Sequence, residues 1–437
     1  MSERAVVVEL QVGAEQVARV AAIDIAKASA VVCTRLPAER GGRREQRVWE
    51  VAAYTGAIEE LADHLVCQSV ELVVMEATCT YWKPYFYLLE ARGLRCWLVN
   101  ARDVKNVPGR PKSDKLDAVW LAKLAERGML RASFVPPKPV RQLRDLTRLR
   151  KTLTEDRTRY RQRIEKVLED AQIKLSAVVS DLFGVSGRAI LDALVGGQRS
   201  PAVLAELSRG SLRGRKSSLI EALTGQFEEH HAFVIGLLLE DHDRLGAQIA
   251  RLSARIEQAI ERIEAGPSDG GGSGHPGLVE RLDEIAGVGR VCAETILAEI
   301  GVDMSVFPTP GHLASWAKLT PRTIQSGAKN THGPAGAGNR WLKGALGEAA
   351  SAAAHTKTFL GARYRRIAKR APAKKAIVAV SRNILEIAWV LINDPEARYT
   401  DLGADWHDRH VNRTRKTRQH VRELEHLGYS VTLAPAD

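Results

Sequence analysis

Three prolines within four residues, Pro136, Pro137 and Pro139, divide the chain into two stretches built on different plans. Proline fixes φ, withholds an amide, and sits in a helix only at its first turn. A helix can therefore start at this cluster but not pass through it. Upstream, residues 18–36, ARVAAIDIAKASAVVCTRL, form two apolar, partly alternating runs around Lys27, Ala28 and Ser29, the pattern of a β-hairpin. Residues 56–68 read as an amphipathic helix, 70–75 as a buried strand, 81–92 as holding a helix and 94–99 as a strand. Residues 113–127 have helical periodicity with Ser113 as the cap. Strands alternating with helices predict an α/β domain with a mixed sheet over 15–135.

Downstream the period changes. Leu143, Leu146, Leu149, Leu153, Tyr160, Ile164, Val167, Ala171 and Leu175 recur mostly at three- or four-residue steps, which suits a long helix with a coiled-coil-like seam. A second such stretch covers about 229–264, and the two predict a helical arm over 136–265 suited to dimerisation. Residues 266–276 are a Gly-rich linker by composition. A mostly helical domain spans 277–395, and a polar, basic tail spans 396–437. The fold class is α/β plus all-α.

Charge narrows the partner. The 437 residues carry 64 Lys and Arg against 52 Asp and Glu, a formal net charge of +12. That balance favours a polyanion, nucleic acid before an anionic membrane surface. Residues 138–170 hold eleven basic and six acidic residues, a local net of +5. The five cysteines, Cys33, Cys67, Cys79, Cys96 and Cys292, are never spaced C-x-x-C, which argues against a zinc ribbon or a disulfide scaffold and fits a reducing cytoplasm. The N-terminal stretch has no secretory pattern and no run of eighteen apolar residues occurs, so no membrane span is expected.

Four acids stand out by position. Asp24 interrupts the apolar run AAIDIA and Glu76 ends the run VVMEAT. Asp114 and Asp117 lie three apart, on one helical face. A carboxylate in or ending an apolar strand is costly unless it is paired or binds a metal. An isolated acid of this kind serves as a turn residue or salt-bridge partner. Four in strand, strand and helix order point to oxygen ligation of Mg²⁺ or Mn²⁺.

Two segments of the last domain carry further signals. Residues 282–300, LDEIAGVGRVCAETILAEI, read as helix, turn and helix. Gly287 and Gly289 permit a sharp turn and close backbone approach, either as a helix-hairpin-helix that grips a nucleic-acid backbone or as a plain αα-hairpin. Pro321 stops the helical signal. A loop rich in Gly, Ser, Thr and Asn follows, and a helix begins near Asn339. Ser326 lies in that loop beside Arg322, Lys329 and Arg340, with His332 as the nearest candidate base. A serine nucleophile needs activation, and the residues alone leave Ser326 between nucleophile and ordinary loop residue. Arg363, Arg365, Arg366, Lys369, Arg370, Lys374 and Lys375 form a basic block, a solvated helix face or a track for phosphate.

Taken in order, I-D, V-M-E-A-T, K-S-D-K-L-D-A, I-A-G-V-G, P-R-T-I-Q-S-G and G-N-R-W-L-K resemble the transposases of insertion-sequence family one-ten, which are DEDD-type, bridge-RNA-guided serine recombinases. The resemblance covers about 18–135 and 278–392. It implies an RNase H/RuvC-like first domain with Asp24, Glu76, Asp114 and Asp117 as metal-binding acids, a coiled-coil arm, and Ser326 as nucleophile of a C-terminal transposase domain. It further implies target and donor DNA, a structured non-coding guide RNA, a dimer or tetramer in which the acids of one subunit work with the serine of another, and a phosphoserine link to DNA. Arg365, Arg366, Lys369 and Arg370 join Gly287, Gly289, Arg322, Lys329 and Arg340 as expected nucleic-acid contacts. The rival expectation is a RuvC-like junction nuclease using metal-activated water, in which Ser326 is incidental. Lys318 stands where the family usually has glycine, and K-S-D where K-T-D is commoner.

Overall fold

The structure is a computed structural model describing residues 17–38, 44–77, 79–100, 114–265, 276–326, 329–333, 335–410 and 413–434, with backbone alone at 114–115, 322–323, 326, 329–330, 332, 408, 413 and 415–416. The chain divides at the proline cluster into two compact units, Met1–Val135 and Pro136–Asp437.

The first unit contains β1 (Val20–Ile25), β2 (Ser29–Pro37), β3 (Arg44–Ala52), α1 (Thr55–Cys67), β4 (Leu72–Glu76), α2 (Trp82–Ala91), β5 (Cys96–Val99) and α3 (Asp114–Glu126). The sheet order is β3-β2-β1-β4-β5. The pairs β1–β2 and β2–β3 are antiparallel, while β1–β4 and β4–β5 are parallel. The central strand β1 is apolar on both faces because both are covered. Ala21, Ile23, Val73 and Met75 pack beneath α1 and α2, with Ile58, Leu65, Tyr85 and Leu89. Val20, Ala22, Leu72 and Val74 pack beneath α3, with Ala118, Leu121, Ala122 and Ala125. The sequence reading has no counterpart for β3. Its run REQRVWEVA is charged because it forms a sheet edge, where water and charge are tolerated. The cap expected at Ser113 lies outside the described residues.

In the second unit, α4 (Lys138–Asp170) leads to the short helices α5 (Leu175–Val178), α6 (Val185–Val195), α7 (Pro201–Glu206) and α8 (Lys216–Ala222), and then to α9 (Glu229–Ala265). The 33 residues of α4 span about 50 Å. Pro139 falls in its first turn, where a missing amide costs nothing. Helices α4 and α9 pack side by side and antiparallel. Arg161 Nε donates to His242 Nε2 at 3.3 Å, and Asp170 meets His231 at 3.3 Å, so positions advance on one helix as they fall on the other. The short helices close a core around Ile164, Leu168, Ile235 and Leu239.

The chain continues with α10 (Leu278–Asp283), α11 (Arg290–Ile300), α12 (Pro310–Trp316), β6 (Arg322–Ser326), β7 (Lys329–Gly333), α13 (Arg340–Ala354), α14 (Phe359–Ala368), α15 (Ala373–Asn393), α16 (Trp406–Arg409) and α17 (Arg413–His426). Helix α15 is long and apolar enough to cross a membrane by composition. It instead packs against α12, α13 and α14, burying Val380, Ile384, Leu385, Ala388 and Leu391. Its C-terminal carbonyls are capped by the buried Arg281, whose Nη1 donates to Leu391, Asp394 and Pro395 at 2.8, 3.0 and 3.0 Å. The stretch expected as a loop around Ser326 is instead a two-stranded ribbon. Ile324 and Thr331 are β-forming residues, and the ladder satisfies amides that a loop would leave to solvent. Residues 266–275 of the Gly-rich linker lie outside the described residues.

Candidate functional site

Backbone register brings two of the four acids together. In the parallel ladder of β1 and β4, Ile23 is opposite Met75. The next positions, Asp24 and Glu76, are therefore neighbours about 5 Å apart, on the pleat face of Ala22 and Val74. That is the face α3 covers. The direction of α3 follows from its end: Glu126 pairs with Arg35 at 2.7 Å and Arg44 at 2.9 Å, and Arg35 stands opposite Val20 at the start of β1. One turn back, Lys123 lies within Coulomb reach of Cys33, which stands opposite Ala22. Helix α3 thus runs antiparallel to β1. From Glu126 back to Asp117 is about 13 Å of helix, and from Val20 to Asp24 is about 13 Å of strand. Asp117 therefore comes level with Asp24 and Glu76.

Asp24, Glu76 and Asp117 are all partly buried. Among the described residues, no three His, Cys, Asp or Glu side chains lie close enough to hold a metal ion. The Asp114 side chain is outside that description, one helical turn before Asp117. The donor set is all carboxylate oxygen, which fits a hard divalent cation.

Ser326 ends β6. Its register partner is Lys329, the first residue of β7, so the two share the closing rung of the ribbon. Arg322 is opposite Gly333 at the ribbon base, about 13 Å down the strand. His332 is opposite Thr323, three rungs or about 10 Å from Ser326 and of opposite parity in the pleat. That register argues against His332 as the base for Ser326.

The base of the ribbon is clamped by close backbone packing. Lys318 has φ of 57°, the left-handed region that glycine enters without strain. Gly338, at φ of 62°, leaves no room for a side chain: an added Cβ would lie 2.5 Å from the Ala317 carbonyl and 3.1 Å from Lys318 Cβ. Helix α13 then starts at Asn339, whose Oδ1 accepts from the amides of Trp341 and Leu342 at 3.0 and 3.2 Å.

Sequence reasoning missed the group behind that cap. Glu299, in α11, is fully buried. It accepts from Arg148 Nε and Nη2 at 2.7 and 2.8 Å and from Asn339 Nδ2 at 2.6 Å. Arg144 pairs with it at 3.3 Å and donates to the Ala298 and Glu299 carbonyls at 3.1 and 2.7 Å. The available signals were a carboxylate inside the apolar run TILAEI and two arginines four apart on α4.

The glycine turn is explained within the chain. Gly287, at φ of 88°, approaches α13 so closely that a Cβ would lie 2.3 Å from the Ala349 carbonyl. Gly289 precedes the first turn of α11 with nothing nearer than 4.0 Å. Among the basic residues, Arg340 is exposed with its guanidinium over Trp341, 4.5 Å from the ring centre. Arg365 Nη1 donates to the Ala354 and Thr356 carbonyls at 3.3 and 3.0 Å, closing the end of α13. Arg366, Lys369 and Arg370 are exposed.

The α/β unit carries the four acids, and the helical unit carries the ribbon that ends on Ser326. Residues 21–173 match a family model described as transposase, of the DEDD type of IS110, and 279–365 match one described as the transposase IS116/IS110/IS902 family. The chain belongs to the IS110 family of transposases and is a DNA transposase. It is 27% identical over 311 residues to the "Insertion element IS110 uncharacterized 43.6 kDa protein" of Streptomyces coelicolor, covering 66% of this chain and 72% of that one. It is also 28% identical over 144 residues to "Putative transposase y4qE" of Sinorhizobium fredii, covering 32% of this chain and 36% of that one.

Proposed function

We propose that the protein is an RNA-guided recombinase that moves its own insertion sequence, using an acidic metal site and a serine nucleophile. In this reading the first unit is an RNase H/RuvC-like domain whose Asp24, Glu76, Asp114 and Asp117 hold Mg²⁺ or Mn²⁺. When bound, such ions polarise a scissile phosphate and neutralise charge developing on it. Ser326 Oγ attacks phosphorus. The new O–P bond forms as a P–O bond to the adjoining deoxyribose breaks, and the leaving oxygen takes up a proton. The link is an ester for an ester, so the strand can later be resealed without an external energy source. The basic surface of α4, the block at 363–375 and the tail carry DNA and a structured guide RNA. The paired helices α4 and α9 act as a coiled-coil arm in a cytoplasmic dimer or tetramer.

The observation that supports serine chemistry most directly is the ribbon register, which sets Ser326 on the closing rung beside Lys329. A lysine at the paired backbone position is the residue type suited to an incoming phosphate and the charge that develops on it. The test traps protein on DNA under denaturing conditions, in cells carrying the element with its native flanks. The wild-type chain should form a covalent adduct that Ser326→Ala and Asp24→Asn both lose. An adduct persisting in Ser326→Ala removes the nucleophile assignment. Cleaved DNA with no adduct in the wild type points to a hydrolytic junction nuclease instead.

A further inference from the structure

We propose that Glu299 is a positioning residue for Ser326, acting through the Asn339 cap to hold the serine ribbon in register with the root of α4. The proposal rests on Ser326 being the nucleophile. Three elements far apart in sequence converge on one buried carboxylate. Arg144 and Arg148 come from α4, Glu299 from α11, and Asn339 from the start of α13. Asn339 divides its amide: the oxygen caps α13, and the nitrogen donates to Glu299. Only residues 334–338 separate Asn339 from the end of β7, so a fixed Asn339 limits where the ribbon can stand.

Other contacts make that short connection stiff. Lys343 Nζ donates to the Gly336 carbonyl at 3.0 Å, and Gly338 is pressed against Ala317 and Lys318, just ahead of β6. The incoming and outgoing strands of the ribbon are thus gripped at one place. A buried ionic network seldom adds net stability over apolar packing, and its best-attested use is to fix one arrangement. Here the arrangement fixed is that of the ribbon on which Ser326 stands.

The test is Asn339→Ser in the full-length protein. Serine caps a helix about as well as asparagine but has no amide to donate to Glu299. Three quantities are read: melting temperature, affinity for a plain DNA duplex, and covalent DNA adduct in cells carrying the element with its flanks. Loss of positioning should lower adduct formation about tenfold to a hundredfold. Affinity should stay within about twofold and melting within about 3 °C. Glu299→Gln should reproduce the adduct loss. An adduct yield equal to wild type in Asn339→Ser overturns the proposal. So does a loss that appears only with a large drop in melting temperature, since that marks a structural role. An adduct surviving in Ser326→Ala would strike the nucleophile reading itself, a separate result.

Discussion

Ile23 stands opposite Met75 in the parallel ladder of β1 and β4, and this pairing makes neighbours of the acids that follow, Asp24 and Glu76. An ion that these carboxylates hold in the folded chain and that the unfolded chain does not bind adds its binding free energy to stability. A divalent ion should therefore stabilise the first unit, by about 2.7 kcal/mol at a free concentration a hundredfold above its dissociation constant. Calorimetry with Mg²⁺ or Mn²⁺ against EDTA checks this. The wild type should melt higher with the ion, and Asp24→Asn should lose most of the gain. Equal shifts in both proteins would mean the ion binds elsewhere.

How much of this was legible in the sequence depends on the range of the interaction involved. Asp24 and Glu76 announced themselves because an acid in an apolar strand violates a local pattern. Their adjacency is a matter of strand order, which short runs do not encode. Lys318 stands out in the structure by its φ of 57°, a left-handed backbone that no local run in the sequence marks. Glu299 escaped because its partners lie about 150 residues upstream on α4 and 40 residues downstream at Asn339. The ribbon at 322–333 was read as a loop because Gly, Ser and Asn mark turns whether or not strands flank them. The edge strand β3 was missed for a related reason: its charge hides its period.

The left-handed backbone at Lys318 gives a stability prediction. A non-glycine residue there pays about 1–2 kcal/mol in steric strain. Glycine is also the more flexible residue in the unfolded chain, so part of the relief from that strain is offset. Lys318→Gly should raise stability by about 0.5–1 kcal/mol, whereas Lys318→Val should lower it by at least as much, since β-branched residues fit this region worst. Denaturant midpoints for the two variants decide, and the idea fails if both move in the same direction.

Gly287 should be intolerant of even a methyl group. Its φ of 88° disfavours any side chain, and the nearest atom to an added Cβ is backbone of α13, which cannot swing aside. Strain and overpacking together predict a cost of about 3 kcal/mol for Gly287→Ala. Gly289→Ala, with open space around the site, should cost under about 1 kcal/mol. Comparable losses at both positions would contradict the close contact with α13.

The buried thiols set an alkaline limit on stability. Burial pushes Cys33 up to about 11, against opposing pulls from Arg35 and Lys123. Burial, and then Glu90, push Cys96 up to about 12. Burial, and then Glu348, do the same for Cys292. An unfolded thiol ionises near 9.0, so above that pH the unfolded chain binds fewer protons than the folded one. Stability is then complete below about pH 9 and falls as pH rises toward 11–12, by about 1.4 kcal/mol per unit for each thiol. Urea midpoints between pH 8 and 10.5 should fall in the wild type and fall less steeply in Cys292→Ala. An unchanged slope in that variant would mean Cys292 ionises freely in the folded protein. Exposure predicts that iodoacetamide labels Cys67 and Cys79 first, the half-buried Cys96 and Cys292 more slowly, and the buried Cys33 last.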